Sequence, residues 1–273
     1  MTELKIPYWH VDAFASEPFT GNQAAVMVLD EWLPDDVLVA IGEENMFAET
    51  AFLVKDESGA ADWELRWCTP TYEIALCGHA TLASGHVLLS HNEQFSQADR
   101  VTFRTRKSGI LEVRRGTGGV QYEVALPAIH TARKDHPEAA ALLGAEPLET
   151  YRSDSLHNIF LFENEAQIRA LDPDLKGLGQ IGVDQFDCTA PGDNTDIVSR
   201  VFVPGAGVDE DSVTGSAHAA LTPFWVKRLG RDRMTAYQAS SRGGHLNLTL
   251  DGDRVWLGGP CVTVVEGSFY LTG

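Results

Sequence analysis

Read by its apolar positions, the first half of the chain is mostly strand. Lys5 to Phe14 reads as one strand, Gly21-Asn22 as a turn, and Ala24 to Leu29, short and apolar, as a buried strand. Pro34 stands where a helix can begin. Asp35 and Asp36 follow in the first turn, where carboxylates meet the positive helix end, and the helix is expected to run to about Glu44. Glu49 to Val54 and Asp62 to Cys68 are the next strands. Val101 to Arg106, Ile110 to Arg115 and Val120 to Leu126 form a meander, with Gly116 to Gly119 as a turn. Ala80 to Ser90 breaks this pattern. It is small or apolar nearly all round, so it predicts a buried helix with strands wrapped about it. A second such helix begins near Ala217, and Pro223 inside it predicts a kink or a displaced start.

Similar text precedes both helices. Arg66 and Pro70 fall 134 positions before Arg200 and Pro204, and Gly78 and Ala80 fall 137 before Gly215 and Ala217. One small insertion near Gly207 to Asp209 accounts for the difference. Each half then reads as strand, R-x-x-x-P, acidic loop, glycine, buried helix. The pattern predicts an α+β fold of two pseudo-symmetric domains, each a curled, mostly antiparallel sheet around a central buried helix. Pro127 to Pro137, with two prolines and mixed charge, reads as the linker. The last strand, Val262 to Leu271, is expected to return to the first domain. The expected domains are therefore 1–126 with 262–273, and 127–261.

Composition narrows the class. The chain has 273 residues, 21 basic and 39 acidic, for a net charge of −18. A hydrophobic content of 44% excludes intrinsic disorder despite that charge. An acidic surface repels phosphate backbones, so no nucleic-acid partner is expected. The one dense basic stretch, Arg100 to Lys107, alternates with apolar residues as the wet face of a strand does. No segment reaches the roughly 18 apolar residues of a membrane span. The start lacks a basic segment followed by an apolar one, so the protein is expected to be cytoplasmic, with no membrane partner. Cys68, Cys77, Cys188 and Cys261 show no C-x-x-C spacing and are expected to be free thiols.

Several residues carry candidate chemistry. Gly78 and Gly215 each open a buried helix, where unpaired N–H groups and the positive dipole end favour an anion; a tight turn is the plain alternative. Glu49 lies between a helix end and an apolar strand, as either a general acid–base group or a cap. Asp211 closes the acidic run Asp209-Glu210-Asp211. The run is either a solvated turn or, through Asp211, an acceptor for a substrate amine or hydroxyl. His79 and His218 both sit near the glycine helix starts. No H-E-x-x-H and no Cys/His cluster with metal spacing occurs, so no metal is expected. Gly177, Gly179 and Gly182 match the dinucleotide fingerprint formally, but an expected helix and Pro173 precede them instead of a strand. They read as a connection between helix and strand. Ser216 has no G-x-S-x-G elbow around it.

The motifs Val11 to Phe14, Gly21 to Val26, Ala48 to Phe52, Arg66 to Pro70, Leu76 to Thr81, Asp211 to His218 and Ser241 to Gly244 occur in order. Together they resemble the phenazine-biosynthesis PhzF-like family across nearly the whole chain. That resemblance implies the diaminopimelate epimerase-like fold, with the active site in a cleft, and a homodimer. The phenazine member is an isomerase of trans-2,3-dihydro-3-hydroxyanthranilate and uses no cofactor, so none is expected here. By motif, Glu49 matches its proton-shuttling glutamate. Gly78, His79, Asp211, Gly215 and Ser216 match its substrate-contacting positions, and Asn22 is carried over with them. The implied substrate is a small carboxylated molecule. Epimerases of this fold use two cysteines as opposed bases. Cys77 occupies the first such place, but Thr214 and Val213 stand at the second, so a two-thiol racemase is disfavoured and Cys77 reads as a packed small residue. The alternatives are an amino-acid epimerase or racemase of the same fold, and a non-catalytic binding homologue.

Overall fold

The computed structural model describes residues 3–272. The chain divides into two compact units, Met1–Ala125 with Gly258–Gly273, and Leu126–Leu257.

The first unit begins with β1 (Glu3–Ala13) and β2 (Asn22–Val28), joined through Gly21. Gly21 has φ +65°, and a Cβ there would lie 2.2 Å from the Ala13 carbonyl oxygen, so only glycine fits the turn. Next come α1 (Asp35–Asn45), β3 (Glu49–Lys55), β4 (Trp63–Cys68), β5 (Glu73–Ile74), α2 (Gly78–His91), β6 (Arg100–Thr105), β7 (Ile110–Arg115) and β8 (Tyr122–Pro127). The second unit's elements are β9 (Ala132–Arg133), α3 (Pro137–Ala140), β10 (Glu149–Arg152), β11 (His157–Leu161), α4 (Glu165–Ala170), α5 (Leu175–Ile181), β12 (Gln185–Pro191), β13 (Ile197–Val203), β14 (Val208–Asp211), α6 (Gly215–Leu229), β15 (Arg233–Gln238) and β16 (Gly244–Asp251), followed by β17 (Arg254–Gly259). The last strand, β18 (Cys261–Thr272), pairs antiparallel with β1 from Glu3↔Thr272 to Ala13↔Cys261.

The two units repeat one topology. In the first, the strand order is β18-β1-β2-β3-β4-β6-β7-β8, with β5 also on β4. All pairs are antiparallel except β2/β3 and β4/β6. In the second, the order is β9-β10-β11-β12-β13-β15-β16, with β14 on β13. Parallel pairs recur at the same two places, β11/β12 and β13/β15. A parallel pair needs a crossover, and α2 and α6 are the second crossover of their units.

Each of these helices is buried because its sequence has no polar face. Every residue of α2 from Gly78 to Leu89 is buried. Gly85 lets the helix approach β7: a Cβ there would sit 2.3 Å from Val113 Cγ1. Two of its buried hydroxyls bond back to carbonyls four residues earlier, Thr81 Oγ1 donating to Cys77 O and Ser84 Oγ to Ala80 O at 2.7 Å. A second helical layer covers the outer side of each sheet. Leu38 and Ile41 of α1 pack with Ile6, Met27 and Phe52; Ile168, Leu171 and Leu178 pack with Phe160, Phe186 and Phe202. Full burial of such side chains is worth about 1.5–3 kcal/mol each.

The structure corrects several expectations. α6 runs through Pro223 without ending. Pro223 supplies no N–H for the Ala219 carbonyl four residues earlier, and Ile129 N–H donates to that carbonyl instead, at 3.0 Å. The Gly177 to Gly182 run lies mostly inside α5. Asp174 Oδ1 caps that helix by accepting from Gly177 N at 2.9 Å. The stretch read as a linker holds β9 and the start of α3. The acidic run Asp209 to Asp211 is strand, with Glu210 paired to Arg200 at 2.8 Å. In the basic stretch, Arg100 meets Glu112, Arg104 meets Asp56 and Glu64, and Arg106 meets Glu73. Those partners come from neighbouring elements of the same unit. The four cysteines are free and buried. Among the described residues, no helix is long and apolar enough to cross a membrane.

Candidate active site

In the first unit, three local features bring one cluster together. Glu49 opens β3, in register with Ala24 of β2, and Asn22 opens β2 two residues earlier. Cys77 precedes α2, and His79 is that helix's second residue, so its side chain turns back toward the strand ends. His79 Nε2 lies 3.1 Å from Glu49 Oε2; the two side chains are 5% and 16% exposed. Glu49 Oε2 is shut away from water, and beyond this ion-pair contact it has no hydrogen-bond partner among the described residues. A carboxylate oxygen with open lone pairs in a dry place is a ready proton acceptor.

On the other side of the imidazole, Asn22 Nδ2 lies 3.2 Å from Nδ1. With the amide set this way the ring is neutral and Nδ1 accepts. Turned over, the amide would offer its oxygen to a protonated Nδ1–H, so Asn22 can serve either state. Burial alone would lower the pKa of His79. The neighbouring Cys77 sulfur and the Glu49 carboxylate outweigh it and hold the pKa well above the ordinary value.

Cys77 Sγ lies 3.5 Å from Nδ1 and 4.0 Å from Nε2. Near-equal distances to both nitrogens put the sulfur over the face of the ring, not in line with the Nδ1 lone pair. Burial, with the Glu49 charge, pushes the thiol pKa up to about 11, so it stays protonated. Glu49, Cys77 and His79 offer ligand atoms within 4.8 Å of one another, a grouping their sequence spacing did not reveal. Each can serve as a ligand, the thiol by losing its proton on coordination.

In the second unit, Asp211 ends β14 and Ser216 is the second residue of α6. Asp211 Oδ2 accepts from Thr214 Oγ1 at 2.7 Å. The buried Gln238 braces this loop, donating to Asp211 O at 2.7 Å and accepting from Thr214 N at 2.8 Å. No side chain caps α2 or α6, so the first-turn N–H groups beyond Gly78 and Gly215 are directed out of the helix starts.

His218 is not part of this surface. It is fully buried, with Nδ1 bonded to Thr214 O at 2.8 Å and Nε2 3.4 Å from Ser199 Oγ; burial lowers its pKa. It stands where Thr81 stands in α2, and both side chains bond to the carbonyl of the residue before the helix.

The repeat extends into the site. Gln185 opens β12 in register with His157 of β11, as Glu49 opens β3 in register with Ala24. Ser216 Oγ donates to Gln185 Oε1 at 3.3 Å, where the first unit has the His79–Glu49 contact. The residue reading missed Gln185, Asp187, His157 and Gln238. The repeat spacing of 134 carried forward from Glu49 lands on Val183, two residues short of Gln185, so strand register was needed to find it.

Comparison with known proteins identifies the fold and the family. The fold is that of the diaminopimelate epimerase-like proteins, two repeats of a sheet around a helix. A predicted epimerase from Pseudomonas aeruginosa shares it, with TM-score 0.74 and 19% identity over 98% of this chain and 100% of that one. Within that fold the chain belongs to the phenazine biosynthesis-like (PhzC-PhzF) family, whose model matches residues 11–267. An uncharacterized isomerase of Pseudomonas aeruginosa is 41% identical over 98% of this chain and all of its own length. A PhzF-family crystal structure from Enterococcus faecalis has TM-score 0.89 and 40% identity, covering 98% of this chain and 100% of that one.

Proposed function

We propose that this protein is a cofactor-independent isomerase that moves a proton between carbons of a small carboxylated substrate, with Glu49 as the acid–base group. One observation carries the reading. Glu49 holds a water-shielded carboxylate oxygen with no hydrogen bond among the described residues, beside an imidazole fixed by Asn22. The resemblance of the motif around Glu49 to that of the family's proton-shuttling glutamate supports the same assignment.

Removing a proton from carbon needs a base that reaches it and keeps the proton from water until it is returned. Glu49 Oε2 takes the proton. Its neighbour His79 stabilises whichever charge Glu49 carries, because the ring has a second hydrogen-bonding partner in Asn22. The negative charge that develops on the substrate calls for preorganised donors, which the N–H groups at the start of α2 supply. By the same family resemblance, Asp211 and Ser216 bind polar groups of the substrate. Cys77, protonated and stacked on the ring, takes no proton. That disfavours the thiol-based epimerase.

The test is solvent deuterium incorporation. The protein is incubated in heavy water with trans-2,3-dihydro-3-hydroxyanthranilate and a panel of amino and hydroxy acids, and followed by NMR. The expected result is label in a rearranged product, slowed by about 10²–10⁴-fold in a folded Glu49→Gln variant. Exchange that survives in Glu49→Gln would remove Glu49 as the base.

A further inference from the structure

Unit two carries a buried acid that its repeat partner lacks. Asp187 is 0% exposed. By strand register it corresponds to Ala51, and its neighbour His157 to Ala24, both fully buried alanines. The fold therefore does not need polar groups at these two places. Burying a carboxylate costs free energy unless it is matched, and Asp187 Oδ2 has no hydrogen-bond partner among the described residues. Its other oxygen, Oδ1, accepts from Gln185 Nε2 at 2.8 Å.

That bond settles the Gln185 amide. A carboxylate can only accept, so the atom facing Asp187 must be the NH2 group. One amide hydrogen goes to Asp187. The other goes to His157 Nδ1 at 2.9 Å, in the tautomer with its proton on Nε2; Nδ1 also lies 3.5 Å from Asp187 Oδ2. Both hydrogens are then used, and Oε1 can only accept. The group beside it is Ser216 Oγ, at 3.3 Å. The Ser216 hydroxyl hydrogen is thereby drawn to Gln185, and the remaining lone pairs of Oγ face outward beside the start of α6.

We propose that Gln185, held by Asp187 and His157, is a positioning residue that commits the Ser216 hydroxyl hydrogen and leaves Ser216 Oγ as a hydrogen-bond acceptor for the ligand. The second unit then presents two kinds of group close together: N–H donors at the start of α6, and an acceptor on Ser216. The ligand that fits both is a carboxylate carrying a nearby hydroxyl or amino hydrogen, not a plain carboxylate. This deepens the proposed function and rests on its placing Ser216 at the substrate.

Two measurements test it, one of them without ligand. In the free protein, NMR of the glutamine side-chain amides should show one pair, identified by its absence in Gln185→Met, with slowed hydrogen exchange. That protection should be lost in Asp187→Ala, which removes the acceptor and restores the residue type of the first unit. In the second, calorimetry compares three probes: 3-hydroxyanthranilate, 3-fluoroanthranilate lacking the hydroxyl hydrogen, and 3-hydroxybenzoate lacking the amino group. Wild-type protein is expected to bind at least one donor-lacking probe about tenfold more weakly than 3-hydroxyanthranilate. In Gln185→Met and Asp187→Ala that gap should fall below about threefold, with the weaker probe bound no worse than before. A merely structural role would weaken all three probes together. A gap unchanged in both folded variants, or a Gln185 amide that exchanges freely in wild type, overturns the proposal. If wild type binds none of the probes, this ligand class falls and the proposed function on it falls too. A protected amide in that case would leave Gln185 as a structural brace only.

Discussion

A buried imidazole between a carboxylate and a thiol must settle its charge with little help from water. At His79 burial opposes the charged form, and the adjacent Cys77 sulfur and Glu49 carboxylate outweigh it, so the folded-state pKa is raised. In the unfolded chain a histidine titrates near about 6.5. A raised folded value means that the stability from this contact is fully present below that pH. It is lost as the pH climbs through the folded value. The Tm difference between wild type and His79→Gln should therefore be widest near pH 6 and narrow toward pH 9; a difference constant over that range would reduce His79 to packing. His218 shows the opposite balance, burial prevailing and the ring staying neutral. The sequence placed both histidines near glycine helix starts. It did not separate their roles, because the difference is one of helical position. The second residue of α2 faces the strand ends, whereas the fourth residue of α6 points into the core. For Glu49 the residue pattern left a cap and an acid–base group both open, since a carboxylate at the mouth of an apolar strand can do either; the family resemblance favours the second.

At the scale of elements, α2 was readable because nothing in Ala80 to Ser90 could face water. Less readable was how closely it approaches β7. Gly85 faces Val113, whose branched side chain cannot swing clear of an added Cβ. Alanine favours helix over glycine by about 1 kcal/mol. Overpacking should outweigh that gain, so Gly85→Ala is expected to destabilise by about 1–3 kcal/mol in urea unfolding. Val113→Ala in the same chain should recover part of the loss, and a double-mutant cycle measures the coupling. Additive effects would show that the two residues do not meet. Where the element reading failed, another force had prevailed. In α5 the apolar spacing of Leu175, Leu178 and Ile181, with the Asp174 cap, carries a helix through two glycines. In α6, Ile129 from outside the helix satisfies the carbonyl that Pro223 leaves open. Such a partner is invisible to any local window.

For the whole molecule, what the sequence shows best is duplication. Matching motifs at nearly constant spacing become matching strand orders, with parallel pairs at the same two places in each unit. Less legible is how the repeats diverge: Glu49 and His79 become Gln185 and Ser216, and two buried alanines become Asp187 and His157. His79 and Ser216 match by the 137-residue spacing of the glycine helix starts; the other pairs show only in strand register, since the intervening loops differ in length. The chain ends also matter at this scale. β18 returns after the second unit and pairs along the whole of β1, whose other side pairs with β2. Removing residues 261–272 would leave β1 with an open edge and strip cover from α2, which also packs on β18. Hydrogen exchange followed by mass spectrometry should then show faster labelling in β1, β2 and α2. Protection in β11 to β13 should persist, because their partners all lie within 126–257. If protection fell equally in both units, the repeats would be one cooperative body, and their separate cores would not be separate units of folding.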